Sequence, residues 1–562
     1  MNSFFSNSMN NADNDWENPM NHHVPSSYGN HNYDLPQGRM NQIKVLGVPV
    51  DFPYQNIYPS QRALIANSIK AFQNQENALL QAPTGTGKAL ALLAASLAYQ
   101  QHVIDQKIII NHPRNNSLSQ VRANDTFAIF SGSGSFQDPA SEPSHFNIQP
   151  PRIWFTSRTH TQLKQLISEY KRLPYNPTMV VLGGRKQLCL NKKVLKSNDR
   201  DGECRKLLEE NKCPFRMKAG IPPEFRRGGK YEKFEIEDML EYGKKNMRCA
   251  YHMSLVILSK ADLVFCPYNY VLDPKIKGQL ELSLVGSFLI IDEAHNVENI
   301  CREAGTFKIT SDDLNFTLMI FRKLKENFIK EDPDFVSLIL LLDFVQTISK
   351  WFTSQINGMK FLKQKERIEN PITVINEWGL NQETWPQYEF VMTTIIKRKV
   401  VVVEEVNQKP HFEIPLRSLS LLENLFIFFV FIFQNNMENA NNFQIPIVVG
   451  NKDDGSEDFM QIVCLTPSVV FKCISRETHS LILASGTLSP LSTFASELGT
   501  KFPIQISANH IIGPDQLQSY IVTHALDGTP FNSSYQTMSA NKDNTVKLPY
   551  FHLVCQISFK FL

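Results

Sequence analysis

The stretch that most constrains the fold is Asn77–Ala89, which reads Asn-Ala-Leu-Leu-Gln-Ala-Pro-Thr-Gly-Thr-Gly-Lys-Ala. The apolar run Ala78–Leu80 predicts a short buried strand, and Leu90–Gln100 predicts a helix. Glycines in the loop between them let backbone N–H groups close around phosphate oxygens, and the start of a helix adds partial positive charge. The stretch therefore predicts a phosphate-binding loop within an α/β domain.

The candidate nucleotide contacts in this loop are consecutive: Ala82, Pro83, Thr84, Gly85, Thr86, Gly87, Lys88 and Ala89. Lys88 would reach the outer phosphates, and the position after it normally carries a Ser or Thr whose hydroxyl binds Mg²⁺. This chain has Ala89 there. We expect weaker Mg²⁺-dependent turnover rather than loss of nucleotide binding.

A second feature is the sequence Leu289–His295, Leu-Ile-Ile-Asp-Glu-Ala-His. An acidic pair at the end of a buried strand is how a nucleotide enzyme presents carboxylates to Mg²⁺ and water. Asp292 would hold the metal, Glu293 would orient the attacking water, and His295 would couple the site to another element. The alternative is an exposed turn at a strand end, which the phosphate-binding loop makes less favourable.

Composition indicates a globular chain with a locally basic region. At 562 residues the chain has a net charge of only +2, yet residues 185–248 hold 18 Lys and Arg against 11 Asp and Glu. Such a region favours a polyanionic partner, although a solvated charged surface has the same composition.

Nine cysteines fit a reducing compartment. The most apolar run, Leu425–Phe433, is too short to span a bilayer and is expected to pack in a core.

Short apolar strands alternate with helices on both sides of longer helical patterns, which predicts an α/β fold with a parallel sheet and a mostly helical insertion. The α/β texture is expected to return at Gln461–Leu465 and Leu481–Ala484. A strand is also predicted at Lys107–Ile110. The predicted organisation is a disordered Asn-rich tail (1–42), a first motor domain (43–182, with a flexible insertion at 111–151, and 256–300), a cysteine-bearing module (183–255), a helical arch-like insertion (301–444), a return to the motor with the start of a second (445–540), and an unassigned tail (541–562).

These motifs together resemble a known family. The segments Ala82–Lys88, Asp292–His295 and Ser485–Ser489 look like motifs I, II and III of the DEAH-type, iron–sulfur-containing superfamily-two DNA helicases, the group of the xeroderma pigmentosum group D type. Finer matches look most like the Fanconi anaemia group J branch, namely Val48–Gln61, Cys266–Tyr270 and Ser485–Ile512. The telomere-elongation regulator branch is the alternative within the family.

The resemblance implies a RecA-like motor and assigns roles to single residues. Gln61 matches a glutamine that reads adenine, although it is equally an ordinary polar residue at a helix start. A DNA-backbone grip is implied for Thr156, Arg158 and Thr159, and coupling of the ATP state to DNA for Ser485, Gly486 and Thr487. In the basic module, Arg185 and Lys186 would face DNA phosphates.

The resemblance also implies a [4Fe–4S] cluster bound by Cys189, Cys204, Cys213 and Cys249. Their 14, 8 and 35 intervening residues are not the paired spacing of a zinc ribbon, and buried structural cysteines are the alternative. The cluster would fold a module that apolar burial could not hold together.

The sequence thus predicts an ATP- and Mg²⁺-dependent 5′-to-3′ helicase acting on single-stranded or forked DNA in nuclear repair, with repair proteins as partners and no membrane. Because the later motor motifs are not recognised and Ala89 lacks the hydroxyl, a catalytically impaired single-strand-binding or scaffold protein is the alternative.

Overall fold

The computed structural model describes residues 40–106, 150–327 apart from 216 and 219, 334–401, 414–450, 455–509 and 524. All of them except 524 lie in the first of two compact units, Met1–Asn509. Several predictions fall outside the described residues: the strand Lys107–Ile110, nearly all of the insertion 111–151, the tail before Met40, and the region 541–562.

The strands in chain order are β1 (Asn41–Val45), β2 (Val48–Phe52), β3 (Ala78–Gln81), β4 (Ile153–Ser157), β5 (Met179–Val181), β6 (Leu263–Pro267), β7 (Phe288–Asp292), β8 (Phe307–Thr310), β9 (Glu366–Glu369), β10 (Phe443–Val448), β11 (Phe459–Cys464), β12 (Ser480–Ser485) and β13 (Ile504–Ser507).

The helices are α1 (Pro59–Asn74), α2 (Lys88–Asp105), α3 (His160–Tyr170), α4 (Arg185–Leu188), α5 (Lys192–Lys196), α6 (Arg200–Glu209), α7 (Ile236–Lys245), α8 (Ala250–Leu258), α9 (Asn269–Leu272), α10 (Pro274–Gln279), α11 (Val297–Ala304), α12 (Ser311–Asn327), α13 (Asp334–Phe361), α14 (Pro371–Glu377), α15 (Trp385–Val401), α16 (Leu416–Phe433), α17 (Ser468–Glu477) and α18 (Leu491–Glu497).

A seven-stranded sheet in the order β13-β3-β12-β7-β4-β6-β5 forms the centre of the motor, and every neighbouring pair is parallel. Its inner strands are buried along their whole length, as expected for a parallel sheet covered on both faces. The register sets Ser485 opposite Gln81, and Ala484 opposite Asp292. The predicted α/β, RecA-like fold is therefore confirmed, and the carboxyl ends of β3, β12 and β7 meet at one edge.

The last two strands of the first unit, β12 and β13, both pair into this first sheet, on either side of β3. Within the predicted segment 445–540, the part from Ser480 to Ser507 therefore contributes to the first motor. The predicted start of a second motor domain stays a prediction, because residues beyond Asn509 other than 524 lie outside the described part.

The insertion contains the predicted helices and, in addition, a four-stranded antiparallel sheet in the order β8-β11-β10-β9. The prediction that Gln461–Leu465 returns to the motor is wrong, because this segment lies in β11 and pairs with β8 and β10. The burial of β11 alternates residue by residue, whereas β12 in the motor is buried throughout. Alternation is typical of a sheet with one solvent-facing side, so the pattern distinguishes the two sheets.

Two helices, Phe335–Phe361 and Leu416–Phe433, are long and apolar enough to cross a membrane by length and composition. In Leu416–Phe433, 72% of the helix is buried inside the protein. Ring contacts join Phe429 to Phe344 and Trp385 of the neighbouring helices α13 and α15. The expected core role of Leu425–Phe433 is met within α16, which extends beyond that run.

The cysteine-bearing module is mainly helical, from α4 to α8, and has an aromatic core of its own. Phe225 lies 4.9 Å from Phe234 and 5.1 Å from Tyr242 between ring centroids, and both phenylalanines are buried. The module therefore has apolar packing of its own, and the expectation that this packing could not hold it together without a cluster stays a prediction. Four aromatic rings, including Tyr231, supply packing that the sequence argument overlooked.

Candidate nucleotide and nucleic-acid site

The loop between β3 and α2 has the backbone shape that anion binding needs. Gly85 and Gly87 have φ of 81° and 74°, the left-handed region that favours glycine, and α2 begins at Lys88 immediately afterwards. The hydroxyl of Thr86 donates to the carbonyl of Pro83 at 2.8 Å, which closes the loop. The N–H groups of the first turn of α2 thus point out of a fixed loop, the arrangement in which helix starts bind phosphate.

Gln61 contacts this loop. A Cβ added to Gly87 would lie 2.4 Å from Gln61 Nε2, so the amide group lies directly against the glycine. The Oε1 atom accepts from the N–H of Tyr58 at 3.1 Å and caps α1. Both interpretations from the sequence therefore have a structural counterpart: Gln61 starts a helix and also lies at the nucleotide loop.

Lys88 and the acidic pair converge at the edge where β3 and β7 end. Lys88 Nζ is 3.6 Å from Glu293 Oε1, and both Lys88 and Asp292 are buried. Glu293 has a φ of 56°, an uncommon conformation for a residue with a side chain, which turns the chain sharply after β7. Carboxylates and an ammonium group in a buried edge are suited to a polyanion and its metal ion.

The Asp292 carboxylate has a free coordination position in the described structure. Its Oδ1 atom is buried without a hydrogen-bond partner among the described residues. Burial raises the pKa of Asp292 to about 6, the neighbouring Glu293 acts in the same direction, and Lys88 opposes them. A buried, unpartnered oxygen fits a hard cation such as Mg²⁺, which prefers carboxylate ligands. Ala89, partly buried in the first turn of α2, adds no oxygen to this set.

His295 links the acidic pair to the end of β12. Its Nδ1 is 3.3 Å from Glu293 Oε2 and 3.1 Å from Ser485 Oγ. The carbonyl of Ser485 in turn accepts from the N–H of Ala82 at 3.1 Å. A Cβ on Gly486 would lie 3.2 Å from Thr84 Oγ1, and Thr487 is exposed beyond it. The segment Ser485–Thr487 therefore lies between the nucleotide loop and the acidic pair.

Gln81 is a contact that the sequence argument missed. Its Oε1 accepts from the N–H of Leu488 at 3.3 Å and from the hydroxyl of Ser489 at 2.7 Å. The side chain thus joins the last residue of β3 to the segment after β12. A polar residue at the carboxyl end of an otherwise apolar strand was the available signal.

The three residues expected to grip a DNA backbone differ in exposure. Thr156 is fully buried, and its hydroxyl donates to the carbonyl of Ile290 on β7 at 3.1 Å, so the DNA-backbone contact that the resemblance implied is not available to it in this fold. A threonine inside a parallel sheet satisfies its hydroxyl on the adjacent strand. Arg158 and Thr159 are exposed, and Thr159 caps α3 by accepting from the N–H of Gln162 at 3.3 Å.

In the basic module, Lys186 is exposed, whereas Arg185 is largely engaged within the module. The Arg185 guanidinium pairs with Asp201 and lies 4.3 Å from the centroid of the Tyr251 ring. The thiol of Cys204 lies near the same guanidinium. The predicted phosphate contact of Arg185 therefore competes with three partners already present in the fold.

The four candidate cluster cysteines lie in one neighbourhood. Burial raises the pKa of Cys189, and the thiols of Cys204 and Cys213 are close enough to raise it further. Burial also raises the pKa of Cys249, with Cys189 and Cys204 nearby. In the part of the chain that the structure describes, no group of three or more His, Cys, Asp or Glu is arranged to hold a metal ion. Four thiols are the donors that an iron–sulfur cluster needs. The cluster itself stays a prediction, because the described side chains are not arranged around a metal ion.

Four other cysteines lie in the described part of the chain. Cys266, Cys301 and Cys464 are buried, and Cys473 is partly buried, as expected for packing residues.

Comparisons with known proteins agree with this geometry. Residues 155–314 match the DEAD_2 family model, and residues 55–182 match the model of the type III restriction enzyme, res subunit. The regulator of telomere elongation helicase 1 homolog of Arabidopsis thaliana is 29% identical over 528 residues, which cover 89% of this chain and 48% of the relative. The mouse (Mus musculus) regulator of telomere elongation helicase 1 is 27% identical over 543 residues, with coverages of 88% and 44%. The chain thus spans about half the length of the curated relatives it matches.

Among solved structures, one named XPD helicase matches with a TM-score of 0.38 and 16% identity, covering 81% of this chain and 62% of the other. Another, named truncated XPD, has a TM-score of 0.38 and 17% identity, covering 79% and 99%.

Residues 155–314 and 55–182 are thus similar to these two family models, and the parallel sheet has the predicted RecA-like fold. The Fanconi anaemia group J branch is not confirmed. These relatives carry the name of the branch kept as the alternative, the regulator of telomere elongation.

Proposed function

We propose that this chain is a helicase motor of the DEAD_2 type and uses ATP to move 5′ to 3′ along single-stranded DNA and to open forked DNA. The observation that carries the proposal is the convergence of Lys88, Asp292 and Glu293 at one edge of the sheet, with His295 joining them to Ser485. A motor requires a nucleotide site that is connected in this way to a second segment, because ATP hydrolysis must change the affinity of another site for its ligand.

Each side chain has a defined task in this proposal. The N–H groups of the loop and Lys88 would bind the phosphates, and Asp292 would hold Mg²⁺, which neutralises charge on the phosphate oxygens. Glu293 would orient the attacking water and accept its proton, while Lys88 at 3.6 Å would hold the carboxylate in position. His295 would transmit the change through its contact with the Ser485 hydroxyl.

Ala89 supports a second candidate function, a motor domain that binds nucleotide and single-stranded DNA without turnover. Because position 89 has no hydroxyl, Asp292 is left as the Mg²⁺ ligand that both the sequence motif and the described structure support. The two functions differ in hydrolysis and not in binding.

ATP hydrolysis stimulated by single-stranded DNA separates the two functions. We expect slow but measurable turnover for the native chain and a rise of about tenfold or more for Ala89→Thr, which restores the hydroxyl. Ala89→Val is the matched control, because valine has the shape of threonine without the oxygen. No hydrolysis in any form would overturn the motor proposal and leave the binding function.

The DNA side of the proposal rests on exposed cations near the carboxyl edge of the sheet and on the basic module. Arg158 and Lys186 are exposed and lie on elements that follow β4 and β5. The names of the relatives suggest a role in regulating telomere elongation. We propose the nucleus as the location and DNA-repair proteins as partners. Single-stranded or forked DNA is the substrate class that we assign.

We include a [4Fe–4S] cluster in the proposal, with Cys189, Cys204, Cys213 and Cys249 as its ligands. The cluster would cross-link α4, α6 and α8 with the segment after α6, and its role here would be structural. Iron and sulfide analysis of anaerobically purified protein is expected to give about four of each per chain. Colourless protein that contains stoichiometric zinc would overturn this part.

A further inference from the structure

The turn after α13 exposes large apolar side chains that a folded protein ordinarily covers. Phe361 is 87% exposed and Leu362 is 59% exposed. On the other side of the same helix, Phe352, Ile356 and Met359 are buried in the insertion. Single exposed apolar residues are common, but two adjacent ones on a projecting turn mark a contact surface.

The same turn is basic. Residues 344–365 contain lysines at 350, 360, 363 and 365 and no acidic residue. Lys360 pairs with Asp458 at 2.8 Å, while Lys363 and Lys365 are exposed and form no ion pair within the described part of the chain. Two available ammonium groups therefore lie within four residues of the exposed aromatic ring.

Hydrogen bonds fix the shape of the turn. The N–H of Leu362 donates to the carbonyl of Gly358 at 3.0 Å, and the N–H of Gln364 donates to the carbonyl of Met359 at 2.9 Å. The carbonyl of Lys365 accepts from the N–H of Val449 at 2.9 Å, which ties the turn to the end of β10. Lys363 has a φ of 55°, in a position after a helix where glycine is usual. A rigid turn loses little conformational entropy when it binds.

We propose that this turn, Lys360–Lys365, is a binding site for single-stranded nucleic acid, in which a base stacks on Phe361 and phosphates contact Lys363 and Lys365. Stacking on an aromatic ring between cations is how proteins bind single strands without reading their sequence. A purely apolar protein partner would leave both ammonium groups facing an uncharged surface. The inference rests on the proposed function, since it gives the moving strand a contact on the insertion as well as on the motor.

Fluorescence anisotropy with a labelled oligothymidylate and the full chain tests the stacking contact. Phe361→Ala is expected to weaken binding about tenfold, the size of one lost base stack. The matched control is Phe390→Ala on α15, because Phe390 is 70% exposed but follows Glu389 and has no neighbouring lysine. This control is expected to change the affinity less than twofold.

The salt dependence of the same binding tests the lysines. Lys363→Gly removes one charge and fits the local φ of 55°, so the turn keeps its shape. Combined with Lys365→Gln, it is expected to reduce the slope of log K against log salt by about 1.4, or about 0.7 for each lost phosphate contact on a single strand.

The outcomes separate this inference from the function on which it rests. If the native chain binds no single-stranded DNA, both are overturned. If the native chain binds and Phe361→Ala binds within twofold of it, only this inference is overturned, and the turn is a protein contact. A change in the mass of the protein in solution on Phe361→Ala, with unchanged DNA affinity, would overturn it in favour of self-association.

Discussion

At the scale of single residues, Asp292 shows how the site trades stability for function. Its carboxylate is buried at the end of β7, and one oxygen has no hydrogen-bond partner among the described residues. A pKa raised from 3.8 to about 6 means that keeping the ionised form in the fold costs about 3 kcal/mol. Such a cost is tolerated where the charge has a binding task.

Asp292→Asn is expected to stabilise the nucleotide-free protein by about 1–2 kcal/mol at neutral pH. The gain is smaller than the whole desolvation cost, because a buried amide still needs partners. The same substitution should remove most of the increase in melting temperature that ATP with Mg²⁺ produces in the native chain. Thermal unfolding with and without the nucleotide checks both parts.

Asp343→Asn, on the surface of α13, is the matched control, and neither quantity should change. If Asp292→Asn destabilised the free protein, the charge would have a structural partner, contrary to the geometry seen here.

Single residues were also where prediction from the sequence was least complete. Lys88, Asp292, Glu293 and His295 are brought together as the motifs indicated. Thr156 was expected to grip a DNA backbone, because a motif places a residue along a strand but does not say which neighbour its hydroxyl contacts. Arg185 was assigned to DNA for a similar reason, since its contacts with Asp201, Tyr251 and Cys204 are distant in sequence.

At the scale of elements, the contact between β3 and the segment after β12 connects the nucleotide loop to the rest of the motor. Gln81 supplies this contact through one oxygen that accepts from Leu488 and Ser489. The N–H of Ala508, just after β13, also donates to the Gln81 carbonyl at 2.8 Å. Gln81, the last residue of β3, therefore contacts the segments that follow β12 and β13. Its side chain is therefore a positioning group rather than a nucleotide ligand.

Gln81→Leu removes the acceptor while keeping the bulk of the side chain. Nucleotide affinity is expected to change less than threefold, whereas the effect of nucleotide on single-stranded DNA affinity should fall to below about twofold. Couplings of this kind are typically about 5- to 150-fold. DNA titrations with and without a non-hydrolysable ATP analogue measure the effect.

Gln81→Glu provides the control, because its carboxylate oxygens still accept from both donors and should restore the coupling. Normal coupling in Gln81→Leu would show that the two hydrogen bonds do not connect the sites.

The elements themselves follow from the sequence more closely than their assignment to a sheet does. The predicted strand Ala78–Leu80 is observed within β3, and the buried strand predicted before Asp292 is β7, since short apolar runs between helices have few alternatives. For β11, apolar content suggested the motor sheet, and only the alternation of buried and exposed positions placed it in the antiparallel sheet. The alternation depends on which face of the sheet is covered, and the element that covers it is far away in the sequence.

At the scale of the whole molecule, α11 joins the acidic pair to the insertion, and Arg302 fixes its position. This helix starts just after His295 and leads directly into β8. The Arg302 guanidinium donates to the carbonyl of Leu465, after β11, at 3.1 Å, and to Glu497 of α18 at 2.9 Å. One side chain thus connects the nucleotide edge, the antiparallel sheet and the helix that follows Ser485.

Arg302→Ala is expected to lower the free energy of unfolding by about 1 kcal/mol, because both contacts are partly solvent-exposed. The larger effect should be on the coupling between the nucleotide and DNA sites, because the insertion and α18 would no longer be held to α11 by this side chain. We expect nucleotide binding to persist while the nucleotide-dependent change in single-stranded DNA affinity falls about fivefold or more. Arg417→Ala is the matched control: its ion pair with Asp313 at 2.7 Å has similar exposure but lies wholly within the insertion. If both variants reduced the coupling equally, the effect would be one of general stability. A loss confined to Arg302→Ala would identify α11 as the route by which the nucleotide edge moves the insertion.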